Sequence, residues 1–228
     1  IMLSGNTDCY QPAERKLKIT RKLLKLCLEY RHPVSIITKN ALILRDLDLL
    51  EPMAAQHLVS VTMSIPTLNE DLRRVMEPRT SSAANKLKAI SVLKHSGIPV
   101  NVMVAPVIPA LTSDESLSIL KQISEAGARS FGYSLVRLND TVEPVFVEWL
   151  ENHFPDRSQK VLNQIRSMRN GKLGEKRFFE RYEGTGNIAA LIHQTFELGR
   201  KKYFADKKPV LLSAENFTGS RTQQLTLF

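Results

Sequence analysis

The sequence predicts an α/β fold built from successive βα units. Two observations carry this reading: short apolar, β-branched runs recur along residues 1–137, and a longer segment with apolar residues at three-to-four spacing follows each of them. The runs are nearly continuous in hydrophobicity, which marks parallel strands covered by helices rather than strands with one wet face. Five such units in a row read as either a (β/α) barrel or a doubly wound sheet.

Ile1–Ser4 is the first expected strand, and Pro12 suits the first turn of the helix that follows over Glu14–Tyr30. The chain is already in that strand at Ile1, with no lead-in, so a further segment is expected upstream. Val34–Thr38 is the second strand and Leu44–Ala55 its helix. Leu58–Ile65 is the third, followed by a broken helical pair at Asn69–Met76 and Ala83–His95. Gly97-Ile98-Pro99 stops that pair ahead of a fourth strand, Val100–Pro106. Thr112-Ser113-Asp114-Glu115 offers an N-cap with acids in the first turn of a helix over Ser113–Ala126, and Ala126-Gly127-Ala128 ends it before a fifth strand, Ser130–Val136.

After Asp140 the pattern turns helical, over Glu143–His153, Ser158–Met168 and Ile188–Phe204, with a loop around Gly171-Lys172-Leu173-Gly174. Residues 207–228 lack periodicity and read as a flexible tail. Three regions result: 1–140 as a βα body, 141–206 as a basic helical extension, and 207–228 as the tail.

Composition excludes several classes. Of 228 residues, 43% are hydrophobic and 24% charged, the balance of a globular chain with a real core. No apolar run reaches the ~20 residues that span a bilayer. The two cysteines, Cys9 and Cys27, do not make a disulfide framework, and no secretory leader is visible, so a reducing cytoplasm is the expected location. The net charge of +9 is uneven, because residues 157–208 hold 13 basic and 5 acidic residues, leaving the remainder nearly neutral.

In folds of this kind, chemistry collects at the C-terminal ends of the parallel strands. Those ends carry Asn6-Thr7-Asp8, Thr38-Lys39-Asn40, Ser64, Ala105-Pro106 and Arg137-Asn139-Asp140, five polar clusters expected to converge on one mouth. Asp8 is also a good cap for the helix near Pro12. Lys39 reads as a surface lysine or as the Schiff-base lysine of an aldolase-like enzyme, although no neighbouring cation in sequence would depress its pKa. Glu77-Pro78-Arg79 reads equally well as a structural turn with an ion pair. The five histidines share no metal-ligand spacing, and Gly184-Thr185-Gly186 is too short for a phosphate loop.

Ser4-Gly5-Asn6-Thr7-Asp8-Cys9-Tyr10-Gln11-Pro12, Ile37-Thr38-Lys39, Met63-Ser64-Ile65, Glu77-Pro78-Arg79-Thr80-Ser81-Ser82 and Met103-Val104-Ala105-Pro106 together resemble the radical S-adenosylmethionine superfamily, in the subgroup related to spore photoproduct lyase. The resemblance implies a partial (β/α) barrel lacking its first βα unit and carrying a C-terminal helical extension. It also implies S-adenosylmethionine and a four-iron four-sulfur cluster as cofactors, used to generate a 5′-deoxyadenosyl radical for hydrogen abstraction. The family's Cys-x3-Cys-x2-Cys loop is absent from this chain, so the cluster ligands are expected upstream of Ile1.

Carried over by position, the resemblance makes Thr7 and Asp8 contacts for the methionyl end of the cofactor and puts Lys39 and Ser64 beside its carboxylate and ribose. Glu77 and Arg79 would shape the same wall. Lys86, where relatives often have Arg, would assist the carboxylate, and the backbone through Ala105 and Pro106 would border the adenine.

Two partners are expected besides. The basic segment suits nucleic-acid phosphates, with Arg177 and Arg181 as representative contacts and Phe178-Phe179, Tyr182 and Tyr203-Phe204 as stacking or core aromatics. The last residues, Gln224-Leu225-Thr226-Leu227-Phe228, resemble the peptide by which bacterial replication and repair proteins bind the sliding clamp, with Gln224, Leu225, Leu227 and Phe228 as anchors. A non-catalytic nucleic-acid-binding module tethered to that clamp is the competing reading.

Overall fold

The computed structural model describes residues 1–174, 184–208 and 210–219. Its five strands are β1 (Met2–Leu3), β2 (Val34–Thr38), β3 (Val59–Ser64), β4 (Val100–Val107) and β5 (Ser130–Leu135), all parallel and hydrogen-bonded in the order β1-β2-β3-β4-β5. A doubly wound sheet reverses its strand order at a switch point. Sequential order instead puts every right-handed crossover helix on one face, so the sheet is a stretch of (β/α) barrel.

The helices are α1 (Glu14–Leu17), α2 (Ile19–Glu29), α3 (Leu47–Ala55), α4 (Glu70–Met76), α5 (Ala83–His95) and α6 (Ser116–Ala126), followed by α7 (Glu143–His153), α8 (Pro155–Ser167) and α9 (Gly186–Tyr203). Strand parity decides the two faces of the sheet. Val34, Ile36, Val59, Val61, Val100, Val102, Val104 and Phe131 are buried in the main core under the helices. The register puts Ile37, Thr62, Asn101 and Ser130 in one row on the other face. That face is partly polar: Ser130 Oγ donates to Asn101 Oδ1 at 2.6 Å, and Asn101 Nδ2 donates to Ser60 Oγ at 3.0 Å.

The continuous helix expected over Glu14–Tyr30 is broken. Lys18 sits at φ 52, and the buried Glu14 turns its carboxylate onto the amides of Ile19 and Thr20 at 2.9 and 3.1 Å. A side chain from α1 thus caps α2, which satisfies donors that no residue of α2 itself reaches. The expected cap at Thr112–Glu115 also works differently. Ser113–Glu115 is a 3-10 turn, and Glu115 accepts from the amides of Leu68 and Asn69 at 2.7 and 3.2 Å, tying down the loop after β3.

The helical extension divides by its packing. Leu150, Val161, Leu162 and Ile165 of α7 and α8 form a second core with Leu72 of α4 and with Ile108, Leu111, Val136 and Leu138 beyond β4 and β5, so this pair of helices stands at the C-terminal end of the sheet. Trp149 reinforces it by donating to the carbonyl of Val75 at 3.1 Å. Helix α9 returns to the body: Phe196 stacks on Tyr133 of β5 at 3.8 Å, and Phe204 meets Phe131 edge-on at 4.9 Å.

Residues 210–219, expected to be a free tail, are tied to the opposite end of the sheet in the structure. Ser213 N–H donates to His57 O and Thr218 N–H to Tyr30 O, each at 3.0 Å, and Phe217 packs edge-on against His32. No helix among the described residues is long and apolar enough to cross a membrane.

Candidate functional site

A cleft of about 350 Å3 opens at the C-terminal ends of β2 to β5, lined by Lys39, Ser64, Met103, Ala105, Pro106, Ser134, Leu135 and Arg137. Five residues expected at the mouth, Lys39, Ser64, Ala105, Pro106 and Arg137, therefore meet in one cavity. The β4–β5 register shifts between Val104 and Val107, which takes Ala105 and Pro106 out of the regular ladder where they line the opening.

Lys39 is held from two sides. Its ammonium pairs with Glu77 Oε1, and its backbone N–H donates to Asp8 Oδ2 at 2.8 Å. Behind it the second oxygen of Glu77 lies 3.5 Å from Nζ of Lys86, which is 1% exposed. Burial lowers the Lys86 pKa, and the Glu77 carboxylate only partly opposes that. The back wall thus sets two ammonium groups around the Glu77 carboxylate, while Arg73 is engaged by the carbonyls of Glu77 and Thr80 at 3.0 Å and paired with Glu70 at 2.8 Å.

Asp8 does not line the cleft. Its Oδ1 accepts from Thr38 Oγ1 and Tyr10 N–H at 2.8 and 2.9 Å, so both oxygens clasp the loop after β1 onto the end of β2. Thr7 is exposed on that loop. Arg79 lines a separate cavity with Arg15 and Asn85, on the far side of the Lys39–Asn40 turn. Met103, Ser134 and Leu135 complete the cleft. Ser134 was the residue hardest to see, since its only signal is strand parity shared with Gly132 and Ser130.

Tyr10, fully buried, donates to Asp46 Oδ2 at 3.1 Å, and Asp46 also takes Arg21 and Arg45 at 2.9 Å, a network that pins α1, α2 and the start of α3 beneath the mouth.

The lining of the cleft is mixed in chemistry. Lys39 and Arg137 bring cationic side chains to it, Ser64 and Ser134 hydroxyls, and Met103, Pro106 and Leu135 an apolar surface. A metal cluster is another matter. Cys9 lies in the loop after β1 and Cys27 on α2, both thiols pushed up by burial, and no group of three His, Cys, Asp or Glu capable of holding a metal occurs among the described residues. These residues do not fit a four-iron cluster.

Arg177 and Arg181, with Phe178, Phe179 and Tyr182, lie outside the described residues, as do Gln224, Leu225, Leu227 and Phe228. Within the rest of the basic segment several cations have structural work. Buried Arg169 donates to the Val136 carbonyl at 3.1 Å, Arg200 lies over the Phe131 ring at 4.5 Å, and Lys207 donates to the carbonyls of Ser124 and Ala128. Phe204 fills the core and is not available to stack on a base.

The sequence profile of the Radical SAM superfamily matches residues 1–123. An uncharacterised protein of Mycobacterium tuberculosis is 34% identical over 158 residues, covering 68% of this chain and 46% of that protein. Another, from Methanocaldococcus jannaschii, is 29% identical over 164 residues, covering 72% and 60% respectively. The chain spans about half the length of these curated relatives. Among solved structures, a spore photoproduct lyase mutant with dinucleoside spore photoproduct aligns with a TM-score of 0.63 at 15% identity, over 89% of this chain and 58% of the other. A second mutant of that lyase, with bound AdoMet and the same dinucleoside, aligns with a TM-score of 0.61 at the same identity and coverage. At that identity the likeness is one of fold.

Proposed function

The chain belongs to the radical S-adenosylmethionine superfamily, and from that premise we propose that its strand-end cleft binds S-adenosylmethionine in a radical enzyme acting on a nucleic-acid-related substrate. The observation that carries this reading is the meeting of Lys39, Ser64, Ala105, Pro106 and Arg137 in one cleft. When bound in this superfamily, the cofactor supplies a 5′-deoxyadenosyl radical that abstracts hydrogen from the substrate.

The chain's own residues bind, orient and exclude water. Lys39 places an ammonium at the cofactor carboxylate, Glu77 fixes its direction, and Lys86 adds positive potential from behind. Asp8 acts as a positioning residue through the Lys39 backbone. Ser64 and Ser134 serve the ribose, while Pro106 and Leu135 flank the base. An aldolase-like role for Lys39 is disfavoured, because its amine is held in an ion pair where a Schiff-base nucleophile must be neutral.

The described residues do not supply the ligands of a cluster. The surface does offer a place for an element bearing its ligands. Ile19, Leu23, Leu26 and Tyr30 form an exposed apolar stripe along α2, and Met2 is exposed on β1, the edge strand beside it. A further βα unit of a longer protein would bury this stripe and pair with that edge. The two fold relatives hold a dinucleoside, which motivates the substrate class proposed for this chain.

Anaerobic reconstitution of the complete gene product with iron and sulfide, followed by reduction in the presence of S-adenosylmethionine, tests the proposal. Release of 5′-deoxyadenosine, reduced in Lys39→Ala at sub-saturating S-adenosylmethionine, is expected. A reconstituted protein that releases none overturns it.

A further inference from the structure

The rim of the mouth carries a second cavity that cofactor binding leaves unused. It measures about 330 Å3 and lies between the loop entering α1 and the start of α5. Arg15, Arg79, Asn40, Ser81, Ser82 and Asn85 line it, and no carboxylate does.

The charge there is uncompensated. Arg21, Arg45, Arg73 and Arg74 each sit in an ion pair, whereas Arg15 and Arg79 have none among the described residues. The nearest carboxylates in sequence are engaged elsewhere: Glu14 with Arg45 and the amides of α2, and Glu77 with Lys39 and Lys86. Helix α5 begins at this cavity, capped by Ser82 Oγ on the amide of Asn85 at 3.2 Å, and has no acidic residue in its first turn. Two guanidinium forks, a side-chain amide and the positive end of a thirteen-residue helix around one cavity are the chemistry of a phosphate site.

Its placement selects the kind of phosphate. The loop carrying Arg79 is stitched to the end of β2, with Ser81 N–H donating to Lys39 O at 3.2 Å and Ala41 N–H donating to Ser81 Oγ at 2.9 Å. Lys39 lines the cleft and the adjacent Asn40 lines the cavity, so a single turn of backbone separates them. A substrate reacting at the cleft and continuing over this ridge brings its next anionic group to Arg15 and Arg79. We propose that the cavity is a phosphodiester subsite that seats the backbone of a nucleic-acid substrate, an inference that rests on the cleft being the reaction site.

Calorimetric titration tests it with thymidylyl-(3′,5′)-thymidine, its uncharged methylphosphonate analogue and S-adenosylmethionine. The proteins are the wild type, Arg15→Gln, Arg79→Gln, the double variant, and Arg177→Gln/Arg181→Gln as a control for the basic segment. Both arginines are exposed, and unchanged thermal midpoints will confirm folding. Affinity for the dinucleotide is expected to fall about tenfold for each arginine removed, as for loss of one charged hydrogen-bonding partner. The methylphosphonate should bind weakly and be indifferent to both substitutions, and S-adenosylmethionine affinity should stay at the wild-type level. Unchanged dinucleotide affinity in the double variant overturns the proposal, as does equal binding of the neutral analogue. Displacement of the dinucleotide by an equal concentration of inorganic phosphate assigns a free-phosphate site and overturns it too. A parallel loss of S-adenosylmethionine binding would give the cavity to the cofactor, whereas failure of the wild type to bind the cofactor strikes the reading of the cleft itself.

Discussion

Lys86 and Glu77 form an ion pair behind the strand-end cleft, Nζ to Oε2 at 3.5 Å, with both groups nearly sealed from water. The remaining oxygen of Glu77 holds Lys39 at the opening, so one buried carboxylate serves two lysines. Such an arrangement is costly for folding, and under the proposed reading it serves a cofactor carboxylate, because two ammonium groups share one buried carboxylate.

Lys86→Met should separate these two effects. Removing one partner of a buried pair costs ~3–5 kcal/mol where the other charge is left alone, and Glu77 keeps Lys39, so Lys86→Met should destabilise by less than ~3 kcal/mol while ligand affinity falls. Burial lowers the native Lys86 pKa below the ordinary 10.5. Between those two values the unfolded chain holds a proton that the native protein has released, so this group makes stability rise with pH across that window. Urea denaturation at neutral and alkaline pH should show that rise in the wild type and its loss in Lys86→Met.

Asp46 is the converse case. Burial alone pushes its carboxyl up, but the Arg45 and Arg21 guanidinium groups and the Tyr10 hydroxyl together hold it below 3.8. Its contribution is present at neutral pH and is lost as pH falls through the native value. Asp46→Asn should cost ~2 kcal/mol at pH 7, since Arg21 and Arg45 lose a shared buried carboxylate and keep only Asp48 and Glu14. That deficit should shrink in denaturation experiments carried out in acid.

Gly199 of α9 packs against α6, where a Cβ would stand 2.3 Å from Leu120 Cδ1. Overpacking of this kind costs ~1–3 kcal/mol, and the gain in helix propensity returns up to about 1 kcal/mol. Gly199→Ala should therefore lower the melting temperature of the wild type. In a Leu120→Ala background the same change should be neutral or stabilising, and equal destabilisation in both backgrounds would contradict the close packing of α9.

Much of this architecture was legible in the amino-acid sequence, since β-branched runs such as Val34–Thr38 and Val59–Ser64 have few other places to go. Strand order decided between barrel and doubly wound sheet, and order is a tertiary fact. Lys39, Ser64 and Ala105-Pro106 could be placed at the mouth because strand ends are visible in the pattern. Asp8 and Arg79 could not be resolved the same way. Asp8 clasps backbone thirty-one residues away, and Arg79 falls on the other side of a ridge that only the loop's hydrogen bonds to Lys39 and Ala41 create. The helix break at Lys18 was hidden for a similar reason, being set by where the Glu14 carboxylate finds its donors.

The most direct test of the account is equilibrium binding of S-adenosylmethionine and its decarboxylated analogue to the wild type and to Lys39→Ala. If Lys39 meets the cofactor carboxylate, the substitution should weaken S-adenosylmethionine about tenfold and leave the decarboxylated analogue unchanged. Equal effects on the two ligands, or none on either, would contradict the placement of the cofactor in the strand-end cleft.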